Sequence, residues 1–73
     1  MYYVVATYTD GKFVECLHVT EISYNGANAL KTVTADEIPS HKFPIGKTLW
    51  LKTNNGCISI AGDSLRVIEI RSE

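Results

Sequence analysis

Hydrophobic and polar positions alternate along the first nineteen residues. Residues 2–9 and 12–19 each place apolar side chains at about every second position, as half-buried β-strands do. The two runs are separated by Asp10-Gly11, a dipeptide typical of a type I′ hairpin turn, in which both central residues need a positive φ. We therefore expect an antiparallel hairpin with a two-residue loop.

A two-residue loop sets the register of this hairpin, because side chains that face each other across the strands share one side of the sheet. The predicted core face carries Tyr2, Val4, Ala6, Tyr8, Phe13, Glu15, Leu17 and Val19. The opposite face then carries Tyr3, Val5, Thr7, Val14, Cys16 and His18. This second face is too apolar for a solvated surface, so we expect something to cover part of it.

The C-terminal third repeats the pattern. Asn55-Gly56, the strongest short hairpin signal, separates the runs 48–54 and 57–61, and Gly62-Asp63 predicts a further turn into a strand at 65–70. We expect a three-stranded unit in which the strand at 65–70 pairs with the strand at 57–61. Its predicted core face carries Leu49, Leu51, Ile58, Ile60, Leu65 and Val67, and its other face carries Trp50, Lys52, Ser59 and Ala61.

The middle of the chain supports two interpretations. The three-residue spacing of Ala27, Leu30 and Val33 favours a short helix around residues 26–34, whereas a turn at Asn25-Gly26 favours a strand from about residue 29 to 34. We prefer the helix and keep the strand as the alternative. Residues 34–37 match a capping box, Pro39 ends the turn that follows, and residues 40–46 are expected to form a loop.

These elements predict a mainly β protein, either all-β or α+β, with five to six short strands and a single domain over residues 1–73. The architecture is a small antiparallel sheet or a partly open barrel of the SH3 or Tudor kind. Scaling laws give a folded surface of about 4,500 Å² against about 11,700 Å² for the unfolded chain, enough burial for one small core.

Composition excludes several function classes. Hydrophobic residues are 45%, charged residues 21% and the net charge −1, which excludes charge-driven disorder and a strongly basic DNA-binding domain. A core of this size leaves little volume for an enclosed pocket. We therefore expect no enzyme activity and no cofactor.

No residue pattern indicates catalytic or metal chemistry. Two cysteines are too few for a secreted disulfide framework, and neither has the close Cys or His neighbour that a zinc knuckle needs. Cys16 and Cys57 are therefore expected to be reduced, buried thiols, since free cysteine behaves as a small hydrophobic residue. Cys16 and His18 are two residues apart on one strand and could lie close enough to act as a nucleophile and a base. No third orienting group or electropositive setting accompanies them, so we do not expect this chemistry. His18 is expected on a half-covered sheet face and His41 in solvent. The absence of an apolar run of membrane length and of a leader pattern predicts a cytoplasmic protein.

Charge is unevenly distributed along the chain. Residues 1–39 carry two basic and five acidic residues, and residues 40–73 carry five basic and three acidic ones. In the predicted three-stranded unit, Lys52, Ser59 and Arg66 line up beside Trp50. We predict that Trp50, Lys52 and Arg66 bind a partner, since Trp and Arg are preferred interface anchors. The alternative is that the first hairpin covers Trp50 and the row is an ordinary solvated face.

The sequence therefore predicts a non-enzymatic protein-binding module that acts as an adaptor or inhibitor of a larger protein. Small chains of this kind are often encoded by phages or other mobile elements and directed against host enzymes. A small nucleic-acid-binding β-barrel is the alternative, because a basic row beside an aromatic side chain can hold single-stranded nucleic acid.

Overall fold

The fold is one antiparallel sheet of six strands without an α-helix. The computed structural model describes residues 1–73. The strands are β1 (Tyr2–Tyr8), β2 (Phe13–Asn25), β3 (Leu30–Thr34), β4 (Leu49–Thr53), β5 (Cys57–Ile60) and β6 (Leu65–Ser72). Their order is β5-β4-β2-β1-β6, with β3 also paired to β2. The predicted mainly β class is confirmed, and the sheet is open because β5 and β6, at its two ends, do not pair.

The first hairpin forms, but its predicted register is wrong. Its loop has three residues, Thr9, Asp10 and Gly11, because the Tyr8 N–H donates to the Lys12 carbonyl (2.8 Å) and the Gly11 N–H donates to the Tyr8 carbonyl (3.0 Å). Gly11 has φ +87°. A turn followed by a left-handed glycine is the usual three-residue hairpin loop, and it takes the place of the predicted type I′ turn.

The extra loop residue reverses the faces of the first half of β2. Ala6 faces Val14 and Val4 faces Cys16, so Val14 and Cys16 belong to the core side. The residues predicted for the core, Phe13, Glu15 and Leu17, are exposed. A one-residue slip moves every side chain of a strand to the opposite face, because side chains alternate with a period of two.

Two irregularities follow in β2, of which the first returns Val19 to its predicted core side and the second precedes Ile22, which is also buried in the core. Between Cys16 and Val19 the strand has one residue more than β1, and His18 there adopts φ +61°. A second shift, at Thr20, lies where β2 begins to pair with β4. Bulges bend a strand and sharpen its twist. Consequently Val19 faces Tyr2 as predicted, and β2 pairs with β1 in its first half and with β3 and β4 in its second.

The β4–β5 hairpin has the predicted faces but a different turn. Its two-residue loop is Asn54-Asn55 instead of Asn55-Gly56, since the Thr53 N–H donates to the Gly56 carbonyl (2.7 Å). The Thr53 hydroxyl accepts the N–H groups of Asn55 (3.2 Å) and Gly56 (3.1 Å). The resulting register differs by two residues, with Leu51 opposite Ile58, so the side chains keep their predicted faces, but Ile58, predicted for the core, is 38% exposed.

The last strand does not complete a three-stranded unit with β4 and β5. β6 pairs with β1 over its whole length, from Tyr8 opposite Leu65 to Tyr2 opposite Ser72. Leu65 is buried as predicted, but Val67 is exposed, 48% accessible, on the other face. Because β6 pairs with β1, the central strand β1 has a neighbouring strand on both edges. If β6 paired with β5 instead, one edge of β1 would be unpaired.

The helix preferred for residues 26–34 is wrong, because residues 26–29 form a loop and residues 30–34 form the strand β3. β3 pairs with β2 from Glu21 opposite Thr34 to Asn25 opposite Leu30, as the alternative interpretation proposed. After β3, the Glu37 carboxylate accepts the Thr34 hydroxyl (2.9 Å) and N–H (3.4 Å). Hydrogen bonding by the Thr34 hydroxyl holds the pKa of Glu37 below its usual value. A three-residue 3-10 turn, Ile38–Ser40, follows, and Pro39 lies within it.

The core lies on one side of the sheet, under the segment 35–48 that connects β3 to β4. This side holds eleven buried residues: Val4, Ala6, Cys16, Val19, Ile22, Val33, Ile38, Leu49, Leu51, Ile60 and Leu65. The accessible surface of 4642 Å² is close to the value expected from chain length. Gly62 packs directly on the backbone of Gly46 and Lys47, where a Cβ atom would collide. No helix of the structure has the length and apolar character needed to cross a bilayer.

The two turn glycines are expected to respond differently to the same substitution. Gly11→Val should destabilise the protein by about 1 kcal/mol or more, because valine is strained at positive φ. Gly56→Val should change stability little, since Gly56 lacks a positive φ and its Cβ position is open. Urea denaturation of both variants measures the difference. Equal destabilisation would show that the first loop does not depend on a left-handed residue.

The two cysteines are expected to differ in reactivity. Both thiols are free, but only Cys16 is buried as predicted, and Cys57 is exposed. Burial raises the pKa of the Cys16 thiol, which lowers the thiolate fraction at neutral pH. Iodoacetamide should therefore alkylate Cys16 about tenfold or more slowly than Cys57, the reactive species being the thiolate. Mass spectrometry of tryptic peptides over time measures both rates, with Cys57→Ser as the control. Equal rates would contradict the buried position of Cys16.

Candidate protein-binding surface

The side of the sheet opposite the core carries a row of exposed apolar side chains. Thr7, on the central strand β1, faces Phe13 on β2 and Val67 on β6. Phe13 is 59% exposed and Leu17, further along β2, is 56% exposed. We refer to Val5, Thr7, Phe13, Leu17 and Val67 together as the β1 strip. Phe13, Leu17 and Val67 are exposed and Val5 and Thr7 half-buried, whereas the connecting segment 35–48 contributes Ile38 to the core on the opposite side.

The β1 strip is exposed because of the loop that sets the hairpin register. With the predicted loop, Phe13 and Leu17 would face the core and Glu15 would lie among them. The three-residue loop instead puts Glu15 opposite Val5 on the outer side, where its carboxylate stays solvated. This register could have been predicted from Glu15, because burying an unpaired carboxylate in the core costs a large free energy.

Charged groups lie beside the middle of the β1 strip. Val5 has Glu15 opposite it on one side and Glu69 on the other. The Tyr3 hydroxyl donates to Glu15 Oε1 (2.5 Å), and this hydrogen bond to a carboxylate raises the pKa of Tyr3. Arg71 donates to both carboxylate oxygens of Glu69 (2.9 and 3.0 Å), which raises the pKa of Arg71. Glu69 thus has a cationic partner within the chain, whereas Glu15 has only a neutral donor.

Two of the three predicted partner-binding residues come together. Trp50 and Lys52 lie on the outer side of β4, and Trp50 is half-buried between Ser23 on β2 and Ser59 on β5. The first hairpin continues the sheet instead of covering Trp50. A shallow depression of about 540 Å³, lined mainly by polar residues, lies beside Trp50.

The predicted basic row is not formed, because Arg66 lies elsewhere. β6 is separated from β4 by β2 and β1, so Arg66 is not next to Lys52 or Ser59. Arg66 itself is the extra residue at a bulge near the start of β6. Lys52 faces the acidic residue Glu21 across the β2–β4 pair. Lys52, Ser59 and Arg66 therefore do not form the row from which phosphate binding was predicted.

A second concave region lies on the core side, between β6 and the connecting segment. This cleft has a volume of about 330 Å³, and it is lined by Tyr2, Ile38, Pro39, His41, Phe43, Ile45, Ile68, Ile70 and Ser72. The sequence predicted His41 to lie in solvent, but the side chain is half-buried. Its Nε2 atom lies 2.6 Å from the Tyr24 hydroxyl. The rings of His41 and Phe43 pack edge to face at 4.7 Å.

The residues considered for chemistry have different partners. The Cys16 sulfur is buried in the core, whereas His18 extends from the bulge to Glu73, with Nδ1 3.1 Å from Oε2. The bulge thus separates two side chains that a regular strand would place on one face. No three His, Cys, Asp or Glu side chains are grouped so that they could hold a metal ion.

Comparisons with known proteins add no relative from which a role could be transferred. No family model matches the chain, no curated protein is significantly similar to it, and no solved structure matches its fold. The geometry of the surface therefore carries the functional argument alone.

Proposed function

We propose that this chain is a non-enzymatic protein-binding module whose partner covers the β1 strip. The observation that supports this is the exposure of Phe13, Leu17 and Val67, each about half accessible or more, on one uncovered sheet face. Large apolar side chains grouped on a surface mark interaction sites more often than isolated ones do. A partner that removes them from water gains the free energy of burying their apolar area.

The charges beside the β1 strip indicate the chemistry of the partner. Glu69 is already neutralised by Arg71, so Glu15 is the carboxylate for which a partner can supply a cation. We therefore propose a protein surface with an apolar anchor next to a Lys or Arg side chain. Such a charge pair at the rim of an interface chiefly accelerates association and selects the partner.

Several finer expectations from the sequence stay predictions. These are the role as adaptor or inhibitor of a larger protein, the origin in a phage or mobile element, and the cytoplasmic location. The alternative, a nucleic-acid-binding barrel, rested on the row of Lys52, Ser59 and Arg66, which the strand order separates. Gel-shift assays with single-stranded and duplex DNA and RNA at two salt concentrations test it, because phosphate binding weakens steeply with salt.

The test compares two substitutions of equally exposed apolar residues. Phe13→Ser lies in the β1 strip, and Leu30→Ser, at a residue 58% exposed on β3, lies outside it. The immobilised chain is used to capture proteins from a host lysate. Phe13→Ser should weaken capture of a specific protein by about thirtyfold, the loss expected for a hot spot worth roughly 2 kcal/mol. Leu30→Ser should capture that protein like the wild type.

Each variant must be shown to be folded before capture is interpreted. Because both side chains are largely in water, each substitution should lower stability by less than about 1 kcal/mol. A folded Phe13→Ser protein that captures the same partner as the wild type would contradict the proposal. Loss of capture by Leu30→Ser alone would contradict it too, because the contact would then lie on β3.

Trp50→Ala tests the site that the sequence predicted. If the partner covers the β1 strip, this substitution should leave capture unchanged, because Trp50 and Phe13 lie near opposite ends of the long strand β2 and its partners. Denaturation of the same variant separates loss of binding from loss of folding. Capture that is lost in folded Trp50→Ala and kept in Phe13→Ser would move the interface from the β1 strip to β4.

A further inference from the structure

The outer edge of β6 has unpaired backbone groups. β6 is the last strand in the sheet and pairs only with β1. The Glu73 N–H donates to the Met1 carbonyl (3.2 Å), so the backbone N–H of Glu73 points towards β1. Because backbone groups alternate in direction along an antiparallel strand, those of Ile68, Ile70 and Ser72 point away from the sheet. None of these three residues makes a backbone hydrogen bond to the turns or loops.

The middle of this edge lacks proline and bulges. Natural proteins protect edge strands with proline, with a bulge, with charged side chains or by covering the edge. The charged side chains here, Glu69 and Arg71, have opposite signs and can therefore pair with those of a second strand. The strand from Val67 to Ser72 contains no proline and pairs regularly with β1, because its one irregularity lies before Val67. An edge of this kind is a template for strand addition.

The charges on β6 are complementary to themselves in one antiparallel register. We propose that two copies of this chain form a dimer by pairing their β6 strands, with Ile70 on the twofold axis. In this register Ile70 faces Ile70 of the second copy, and Ile68 faces Ser72. Glu69 then faces Arg71 of the second copy on both sides of the axis, which gives two cross-strand ion pairs on the outer face of the joined sheet.

The backbone directions fit this register. Ile68, Ile70 and Ser72 offer the outward N–H and carbonyl groups, so they become the hydrogen-bonded pairs between the copies. Glu69 and Arg71 fall at the non-hydrogen-bonded positions, where facing side chains come closest. Arg71 already contacts Glu69 of its own strand, so in the dimer two carboxylates and two guanidinium groups form one cluster.

The neighbouring registers are disfavoured by charge. Centring the pair on Glu69 would place the two Glu69 side chains against each other, and centring it on Arg71 would do the same with Arg71. Like charges that face each other across strands are destabilising. Shifting one strand by a single residue relative to the other would oppose outward backbone groups to inward ones. Among these choices only the register centred on Ile70 satisfies both the charges and the backbone.

The apolar cleft adds a reason for a second copy at this edge. Ile68, Ile70 and Ser72 form one wall of the cleft between β6 and the connecting segment. In the dimer, Ile70 of the second copy lies at the open side of this wall and removes part of the apolar surface from water. The dimer uses the edge of β6 and not the β1 strip, so it does not depend on the proposed function.

Charge reversal tests the dimer. Glu69→Arg and Arg71→Glu each replace both ion pairs with like-charge contacts, so each variant alone should dissociate at least ten times more readily than the wild type. An equimolar mixture of the two variants should form a heterodimer, because one chain then carries two arginines and the other two glutamates. Asp63→Arg, the same charge change in a turn outside the edge, should leave the dimer intact. Sedimentation equilibrium over a range of concentrations measures all of these.

Two further variants keep the test decisive if a single charge reversal impairs folding. The double variant, Glu69→Arg with Arg71→Glu in one chain, restores complementarity and should dimerise like the wild type. Ser72→Pro removes an outward N–H and should abolish the dimer, whereas Ser72→Ala should not. A wild-type chain that stays monomeric at the highest concentration overturns the proposal. So does a folded mixture of the two charge variants that stays monomeric, or a Ser72→Pro dimer as tight as the wild type.

Discussion

The loop between β1 and β2 determines which side chains of the first hairpin are buried. Gly11, at φ +87°, allows a loop of three residues, and this loop sets Ala6 opposite Val14 and Val4 opposite Cys16. With these pairs in place, Val4, Ala6 and Cys16 are buried in the core. Glu15 and the larger Phe13 are turned to the outside. The position of the candidate binding surface therefore follows from the backbone geometry of one turn.

The irregularities in β2 extend this constraint to the rest of the sheet. An extra residue near His18 and another at Thr20 bend the strand, so that its first half pairs with β1 and its second half with β3 and β4. His18 adopts a left-handed conformation that is rare for a residue with a side chain, and its contact with Glu73 links this bulge to the end of β6. The bend lets one strand contribute to both halves of the core.

Functional potential is concentrated on the surfaces that this sheet leaves free. The connecting segment 35–48 covers one side, and the outer side keeps the apolar β1 strip. The strand order also leaves β6 as an edge next to an apolar cleft. Both features are suited to binding protein surfaces or strands. The separation of Arg66 from Lys52 removes the basic row from which nucleic-acid binding was inferred.

The sequence by itself determined the secondary structure class, the positions of the β1–β2 and β4–β5 hairpins and the faces of β4 and β5. These depend on local alternation and on turn residues, and the Asn54-Asn55 turn kept the faces because its register differs by an even number of residues. Residues 26–34 were harder, because β-branched Thr32 and Val33 compete with helix-forming Ala29 and Leu30 at similar strength.

Only the tertiary structure decided the register of the first hairpin and the neighbour of β6. Asp10-Gly11 is compatible with a loop of two residues or of three, and the choice depends on whether Glu15 or Cys16 is buried against β1. Local signals also carry no information about which free edge the last strand will pair with. β6 pairs with β1 because this pairing buries Leu65 and places Ile68 and Ile70 against the core, a gain that depends on contacts far apart in sequence.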